Sequence, residues 1–290
     1  MTSLNKQIII HRSASLCLAL LSTGLFAAGA RAEDYSKSFN VSNRAKVHVE
    51  TNDGSVRITT GDTKEVEFHV EYTGLVIDKT LHIESHQQGD DVEITARVVH
   101  MLPFSLGLTK LHIEVRMPKE GDLRVETGDG SIKASDLAGS IDLQSGDGAL
   151  TVNSLRGDMR LHTGDGAIDG SDLDGKCDAM SGDGRIRLTE RFDVLRAKSG
   201  DGSLDVGALH GSRLESSWNI GSGDGSVDVA LPADLPADID ATTGDGHISS
   251  DIPITVEGVM SKSRLRGKMN GGGQTLTIHT GDGAIRLKQV

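Results

Sequence analysis

Eight aspartates, each held between two glycines, are the residues whose type and spacing could most readily do chemistry. They are Asp129, Asp147, Asp165, Asp183, Asp201, Asp224, Asp245 and Asp282. The first five stand 18 residues apart. If equivalent aspartates stack at the inter-strand spacing of ~4.8 Å, each neighbouring pair of charges repels by roughly 1 kcal/mol even in water. Such a stack must contain something that relieves the repulsion.

Two explanations can relieve this repulsion. The first is a divalent cation between coils, because Ca²⁺ binds carboxylate and carbonyl oxygens. The candidate metal ligands are then Asp129, Asp147, Asp165, Asp183 and Asp201. The second is local, since an Asp side chain in a turn accepts nearby backbone N–H groups while glycine supplies positive φ. Calcium-binding β-rolls carry Asp two residues before the inward apolar residue, whereas Asp129 precedes Ile132 by three. We therefore favour the turn explanation and keep Ca²⁺ as the alternative.

Four upstream segments share the pattern His-x-Glu. They are His48-Val49-Glu50, His69-Val70-Glu71, His82-Ile83-Glu84 and His112-Ile113-Glu114. In a strand, the period of two places the His and the Glu of each segment on one face, opposite the apolar residue. If the strands are neighbours, these side chains could converge on a transition metal such as Zn²⁺. A solvated face with His–Glu pairing across strands explains the same pattern, and we favour it.

No arrangement typical of an enzyme stands out. One active site needs one local asymmetry, whereas these acids recur identically in every repeat. No Gly-x-Ser-x-Gly elbow is present in a strand-to-helix context. The one asymmetric spot is an insertion of five residues around Trp218, whose ring could stack on a ligand or pack at a corner; we favour packing. We therefore predict a protein that is not an enzyme.

The elements that position the aspartates follow from an 18-residue repeat. Each repeat carries two segments that alternate apolar and polar residues, such as 131–134 and 140–143. These patterns predict two short strands per repeat. A second set of glycines marks the other corner: Gly139, Gly157, Gly175 and Gly211. An antiparallel meander would leave the apolar face open to water, whereas a coil encloses it, so we predict an all-β solenoid with two-strand coils of about 18 residues and atypical ends.

The chain divides into three parts in this interpretation. Residues 1–32 form a signal peptide, residues 33–126 an irregular β region, and residues 127–290 the Gly-Asp-Gly repeats, continuous with the region before them. The predicted strands of the irregular region are Lys46–Glu50, Ser55–Thr59, Glu65–Tyr72, Leu81–Ser85, Asp91–Val98, Leu111–Met117 and Leu123–Thr127. Helical periodicity is essentially absent.

The first 32 residues have the three parts of a secretory signal. Lys6 and Arg12 supply a positive start, residues 16–28 are mostly apolar, and Ala30-Arg31-Ala32 matches a small-x-small cleavage site. The apolar run is too short for a membrane span, and nothing later in the chain approaches the roughly 18 apolar residues that a transmembrane helix needs. We therefore predict an exported protein located in the periplasm, at the cell surface or outside the cell.

The net charge limits the possible partners, and the cysteine content limits the possible disulfides. Removal of residues 1–32 leaves 27 basic residues against 42 acidic ones, a net charge of −15. A balance of this sign repels phosphate backbones, so nucleic acid is excluded as a partner. Only Cys177 remains of the two cysteines, which excludes an internal disulfide. Its position in the repeat matches Ile141 and Met159, so we expect it to point inward and to be unreactive.

Several motifs together resemble a known family. They are the Thr/Ser-Gly-Asp-Gly-x-Ile turns, Val115-Arg116-Met117-Pro118, Leu231-Pro232-Ala233-Asp234, and the ending from Gly267-Lys268-Met269-Asn270 through Gly281-Asp282-Gly283. In this order they resemble the putative-adhesin family of bacterial exported β-strand-repeat domains, over residues 39–287. The resemblance implies a β-solenoid-like exported domain that has no established catalytic residues. The uniform retention of Asp in the late repeats departs from the family, in which Asn or Ser is also found.

We therefore expect an exported, non-catalytic, adhesin-like binding or scaffold protein whose partner is a protein or another component of the envelope. The first alternative is a structural or envelope-stress component without a ligand of its own. The second is a carbohydrate-active enzyme on a β-helical fold. The absence of surface exposure and of specific binding would support the first alternative. Activity on polysaccharides would reveal the second.

Overall fold

The structure is a computed structural model that describes residues 33–42, 44–99, 109–257 and 261–290. The predicted signal peptide, residues 1–32, lies outside the described residues. All regular structure in the described residues is β: 21 strands form one hydrogen-bonded sheet. No helix in this part of the chain has the length and hydropathy needed to cross a membrane. The prediction of an all-β fold is confirmed.

The strands fall into an irregular set, a regular set and a final set. The irregular set is β1 (Glu33–Asn40), β2 (Ala45–Thr51), β3 (Ser55–Gly61), β4 (Glu65–Thr73), β5 (Leu81–Gln88), β6 (Asp91–Val98), β7 (Lys110–Pro118) and β8 (Gly121–Thr127). The regular set is β9 (Ile132–Ser145), β10 (Leu150–Thr163), β11 (Ile168–Ser181) and β12 (Ile186–Ser199). The final set is β13 (Leu204–Ala208), β14 (Trp218–Ser222), β15 (Val227–Leu231), β16 (Ala237–Thr243), β17 (Ile248–Ser250), β18 (Thr255–Val256), β19 (Arg264–Met269), β20 (Thr275–Thr280) and β21 (Ile285–Gln289). All seven strands predicted in the irregular region are present.

Successive coils stack in parallel with a register of one repeat. Leu150 lies opposite both Ile132 and Ile168 in neighbouring coils, and each of these residues is 18 positions from the next. An antiparallel meander would pair the strands in opposite directions. The observed parallel pairing therefore confirms the solenoid and excludes the meander. Because the offset equals the repeat, apolar residues stack on apolar residues in every coil.

Each regular coil is one bent strand of 14 residues, and not the two separate short strands that the pattern predicted. The bend lies at the second corner, where Gly139 has φ 154°. A Cβ at this position would overlap the carbonyl oxygen of Gly121 in the coil below. Gly157 and Gly175 repeat the arrangement, whereas Gly211 lies beside Arg191 and outside this column. The ladder therefore continues through the corner, which alternation alone could not show.

The bend divides the sheet into two faces that enclose the core. The first face has the strand order β1, β4, β7, β3, the first halves of β9 to β12, then β13, β15, β21 and β17. The second has the order β5, β6, β2, β8, the second halves of β9 to β12, then β14, β20, β16, β19 and β18. Inward residues such as Ile132 and Leu143 are fully buried. Each such side chain contributes roughly 1.5–3 kcal/mol of burial free energy.

At both ends of the solenoid, one coil lies out of sequence order. The coil β2–β3 lies between the coils β6–β7 and β8–β9. Likewise β20–β21, the last coil of the chain, lies between β14–β15 and β16–β17. The ends are atypical as predicted, but the sequence order of the repeats is not their spatial order.

Polar and apolar residues close the two ends. At the N-terminal end, the Lys37 ammonium on β1 donates to the Ser85 hydroxyl on β5 at 2.7 Å, which links the edges of the two faces. At the other end, Ile252 is buried and Ile254 packs against the core in the segment between β17 and β18. An inward-pointing charge and a covering segment are known ways to keep sheet edges from pairing with other chains.

Candidate functional site

The Gly-Asp-Gly turns lie in one column, which we call the turn stack. In spatial order its central aspartates are Asp53, Asp129, Asp147, Asp165, Asp183, Asp201, Asp224, Asp282 and Asp245. The upstream Asn52-Asp53-Gly54 turn thus joins the stack, and Asp282 lies between Asp224 and Asp245. Each turn carries the chain from the second face to the first.

Backbone hydrogen bonds run along the turn stack from coil to coil. The Gly164 N–H donates to the Gly146 carbonyl at 2.6 Å, and the Asp165 N–H donates to the same oxygen at 3.2 Å. Equivalent bonds join the other turns, for example Gly146 to Gly128 at 2.6 Å. The first glycine of each motif is therefore both donor and acceptor in a continuous ladder.

A buried hydroxyl precedes each Gly-Asp-Gly motif. The Thr163 hydroxyl donates to the Gly148 carbonyl of the previous coil at 3.0 Å and accepts from the Gly166 N–H of its own turn at 3.2 Å. The same position is held by Thr127, Ser145, Ser181, Ser199, Ser222, Thr243 and Thr280, all of them buried. Since a buried backbone group without a partner costs about 1–3 kcal/mol, this hydroxyl explains why the motif begins with Ser or Thr.

The second glycine of the motif is required by close approach between coils. A Cβ at Gly166 would overlap the carbonyl oxygen of Gly148, and one at Gly148 would overlap that of Gly130. Both overlaps are with backbone atoms, which cannot turn away as a flexible side chain could. The glycines of the turn stack are thus explained by packing between coils.

The aspartates of the eight Gly-Asp-Gly motifs are exposed to solvent. The candidate metal ligands Asp129, Asp147, Asp165, Asp183 and Asp201 are all exposed. In the described part of the chain, no hydrogen bond or ion pair reaches their side chains, and no three His, Cys, Asp or Glu residues are gathered closely enough to hold a metal ion. The aspartates follow one another singly along the column. Ca²⁺ binding by these residues stays a prediction.

The outer surface of the second face carries a different column, which we call the charge ladder. Across five neighbouring strands it reads Arg124, Asp142, Arg160, Asp178 and Arg196, each residue opposite the next. Arg160 and Asp142 approach to 3.7 Å, and Arg196 and Asp178 to 3.9 Å. Opposite charges directly across strands are stabilising, whereas like charges are not. Alternation therefore avoids the repulsion that identical repeats would produce.

A shallow open depression of ≈ 550 Å³ lies at the N-terminal end of the second face. His48, His86, Glu93 and Arg124 are among the residues that line it. His48 lies between two carboxylates, with its Nδ1 3.9 Å from Glu93 and its Nε2 3.9 Å from Glu126. The depression thus combines both signs of charge.

The four His-x-Glu segments separate into two pairs. His48 on β2 and His82 on β5 belong to the second face, where β6 lies between their strands. His69 on β4 and His112 on β7 belong to the first face, on adjacent antiparallel strands. The structure therefore brings two of the four segments into direct contact and places the other two elsewhere.

Trp218 and Cys177 are core residues. The Trp218 side chain is fully buried, its ring packs edge-on against Phe192 at 6.3 Å, and its Nε1 donates to the Asp193 carbonyl at 3.3 Å. Cys177 lies opposite Met159, as predicted, and burial raises the pKa of its thiol to about 12. A thiol with such a pKa is protonated at neutral pH and is a poor nucleophile.

The charge ladder was missed in the sequence, and the Ser or Thr of the turn motif was noted without its role, although both signals are present. Comparing equivalent positions of successive repeats, in place of reading along each strand, reveals Asp142, Arg160, Asp178 and Arg196 at intervals of 18. The same comparison finds Ser or Thr before every Gly-Asp-Gly. Column-wise reading is therefore informative in a solenoid.

The comparison with known families identifies the class of protein. The model of the Toastrack DUF4097 family matches residues 44–288. The chain belongs to this family, and the predicted resemblance to the putative-adhesin family with its β-solenoid-like fold is confirmed. No curated protein matches the chain.

Three solved structures are similar over most of the chain. A putative lipid binding protein from Parabacteroides distasonis is 13% identical, with 88% of this chain and 96% of that chain covered and a TM-score of 0.47. A putative adhesin from Bacteroides fragilis is 10% identical, with 89% and 97% covered and a TM-score of 0.42. A putative adhesin from Parabacteroides merdae is 11% identical, with 88% and 96% covered and a TM-score of 0.41.

Proposed function

We propose that this protein is an exported, non-catalytic, adhesin-like binding or scaffold protein that uses its long outer surface to contact a protein or another component of the cell envelope. The supporting observation is the distribution of ionisable groups in the described residues. On the second face, outside the shallow depression at its N-terminal end, they are spread along the coils and tied into ion pairs, as with Arg160 and Asp142, and Arg266 and Asp240 at 2.7 Å. A catalytic site would need several such groups gathered in one place.

The two parts of the mature chain form one binding unit in this proposal. Support comes from the strand pairing across the boundary at residue 126, since β3 and β8 both pair with β9. A partner that contacts the outer surface would thus meet one continuous set of strands. Residues 1–32 would direct export before this unit folds.

Export is tested by fractionating cells that express the full chain and a version lacking residues 1–32, both tagged after the exposed C-terminal Val290. The full chain should leave the cytoplasm and lose about 32 residues, and the shortened version should remain inside. A full chain that stays in the cytoplasm with its N-terminus intact would contradict the export part of the proposal.

Binding is tested by photo-crosslinking from four exposed positions on different surfaces. Suitable positions are His86 in the depression, Lys176 on the second face, Thr151 on the first face and Asp165 in the turn stack. A saturable envelope partner that crosslinks from one surface and not from the others supports the proposal. Absence of crosslinks from all four positions, together with no saturable binding, would favour a structural component without a ligand.

A further inference from the structure

Two antiparallel strands on the first face arrange His and Glu side chains in a two-by-two block. His69 on β4 lies opposite Glu114 on β7, and Glu71 on β4 lies opposite His112 on β7. We call these four residues the His–Glu checkerboard. Directly opposite side chains have Cβ atoms about 4.5–5.5 Å apart, and residues two apart on a strand share a face. All four side chains therefore rise from the same small area of the outer surface.

Both imidazole rings are held by serines on the flanking strands. The Ser36 hydroxyl on β1 lies 2.7 Å from Nδ1 of His69, and the Ser55 hydroxyl on β3 lies 2.8 Å from Nδ1 of His112. Metal-ligating histidines characteristically make a hydrogen bond through the ring nitrogen that does not bind the metal, to a carboxylate, a backbone carbonyl or water, and this bond orients the ring. A serine hydroxyl can orient the ring in the same way, as either donor or acceptor. In each ring this leaves Nε2 for a further ligand. The Nε2 of His69 is already 3.4 Å from a carboxylate oxygen of Glu71.

Negative charge accumulates beside the checkerboard. Asp34 on β1 lies opposite Glu71, so two carboxylates face each other across neighbouring strands. Like charges in this relation are destabilising. Basic groups are also near, since Arg57 lies opposite Glu114. The residues opposite Glu71 are Asp34 and His112, neither of them Lys or Arg. A cation at the centre of the block would relieve this repulsion.

We propose that the His–Glu checkerboard, formed by His69, Glu71, His112 and Glu114, binds a divalent transition-metal ion such as Zn²⁺. Imidazole and carboxylate together suit Zn²⁺, with bonds of about 2.0–2.2 Å and four ligands. In the described residues, no three side chains of this kind already stand at metal-binding distance. Binding therefore requires the half-buried and exposed side chains to rotate about their χ angles until their ligand atoms converge on the ion.

The first experiment is calorimetric titration of the purified protein with Zn²⁺, compared with the His69→Ala, His112→Ala and His82→Ala variants. His82 is the matched control, because it lies in the same His-x-Glu pattern on the exposed edge strand of the other face. The wild type and His82→Ala should bind one ion per chain. Each of the other two variants should lose at least the ~10–100-fold in affinity that an outer-shell change costs. Circular dichroism checks that all variants remain folded.

Ser55→Ala separates a built site from chance surface binding. If the serine orients His112, the variant should bind Zn²⁺ about tenfold more weakly while all four checkerboard side chains remain. Titration with Co²⁺ should produce the visible absorption bands of tetrahedral coordination in the wild type and not in His112→Ala. The proposal is overturned by an absence of saturable Zn²⁺ binding in the wild type. It is also overturned if His69→Ala and His112→Ala bind as tightly as the wild type, or if His82→Ala loses affinity equally.

Discussion

The turn stack and the charge ladder run through the same coils, but they use repetition in opposite ways. In the turn stack every coil repeats the same residues, because each Ser or Thr and each glycine both donates and accepts along the stack. In the charge ladder the sign changes at every coil, from Arg160 to Asp178 to Arg196. Groups that hydrogen-bond with copies of themselves can be identical in a parallel stack, whereas charged groups are favourable only when they alternate.

The aspartate of the turn breaks this rule. Asp147, Asp165 and Asp183 carry the same sign in successive coils and lie on the exposed side of the stack. Water and salt weaken their mutual repulsion to roughly 1 kcal/mol or less per pair. We therefore rank three groups of the turn stack by their expected contribution to the free energy of unfolding. The glycine that allows close contact between coils comes first, the hydroxyl that hydrogen-bonds with the backbone second, and the solvent-exposed carboxylate last.

The largest effect is expected for Gly166→Ala. The added methyl group would overlap the Gly148 carbonyl oxygen of the neighbouring coil, and because both atoms are fixed by the backbone, the coils must separate. We expect a loss of about 3 kcal/mol in the free energy of unfolding, at the upper end of overpacking costs, measured by urea denaturation. The matched control is Gly207→Ala, where a Cβ would meet only the Thr189 side chain, at 3.3 Å. Equal losses in the two variants would show that the turn stack is not tightly packed.

The next effect is expected for Thr163→Val, which keeps the shape and removes the hydroxyl. The change leaves the Gly148 carbonyl and the Gly166 N–H without the partner they have now. We expect destabilisation by about 1–3 kcal/mol, the cost of unsatisfied buried polar groups. Thr163→Ser keeps the hydroxyl and should remain within about 1 kcal/mol of the wild type. If valine were as stable as serine here, the buried hydroxyl would not explain the Ser/Thr in the motif.

The sequence predicted those features of the coils that depend only on nearby residues. The 18-residue period, the alternation and the inward position of Cys177 all follow from residues within one or two coils. The intercalated coils do not, because the Gly-Asp-Gly turns are nearly interchangeable as stacking partners. Nothing in the sequence of the turn itself indicates that Asp282 lies between Asp224 and Asp245 in the stack. That order depends on long-range strand pairing, for example of β20 with β14 and β16.

The prediction of candidate sites was limited in the same way, because long-range strand pairing decides which residues are neighbours. Alternation correctly placed the His and Glu of each His-x-Glu segment on one side of a strand. Which segments meet depends on the antiparallel pairing of β4 with β7, which opposes His69 to Glu114. His82 has the same local pattern and lies on the other face. A motif of three residues therefore predicts the orientation of a side chain but not its neighbours.

A smaller effect is expected for Asp178→Arg, which turns the alternating ladder into a run of three arginines. Exposed ion pairs contribute about 0–1 kcal/mol, and the new like-charge contacts with Arg160 and Arg196 add a cost of similar size. We expect destabilisation by about 1 kcal/mol at low salt that shrinks as NaCl is raised, because exposed charges are screened. Asp178→Asn removes the attraction without adding repulsion and should cost less. A loss independent of salt would mean that packing, and not charge, dominates at this position.

The smallest effect, with the opposite sign, is expected for Asp165→Asn. The variant removes one charge from a like-charge column, keeps a side chain suited to the turn, and should raise the free energy of unfolding by a few tenths of a kcal/mol at low salt. Thermal unfolding in EDTA and in millimolar Ca²⁺ then distinguishes the two explanations of the aspartates. If they serve the turn alone, Ca²⁺ leaves both melting temperatures unchanged. If the wild type melts higher as Ca²⁺ increases and Asp165→Asn loses that response, ligand linkage makes Asp129 to Asp201 a cation site, and the column repeats its charge because an ion neutralises it.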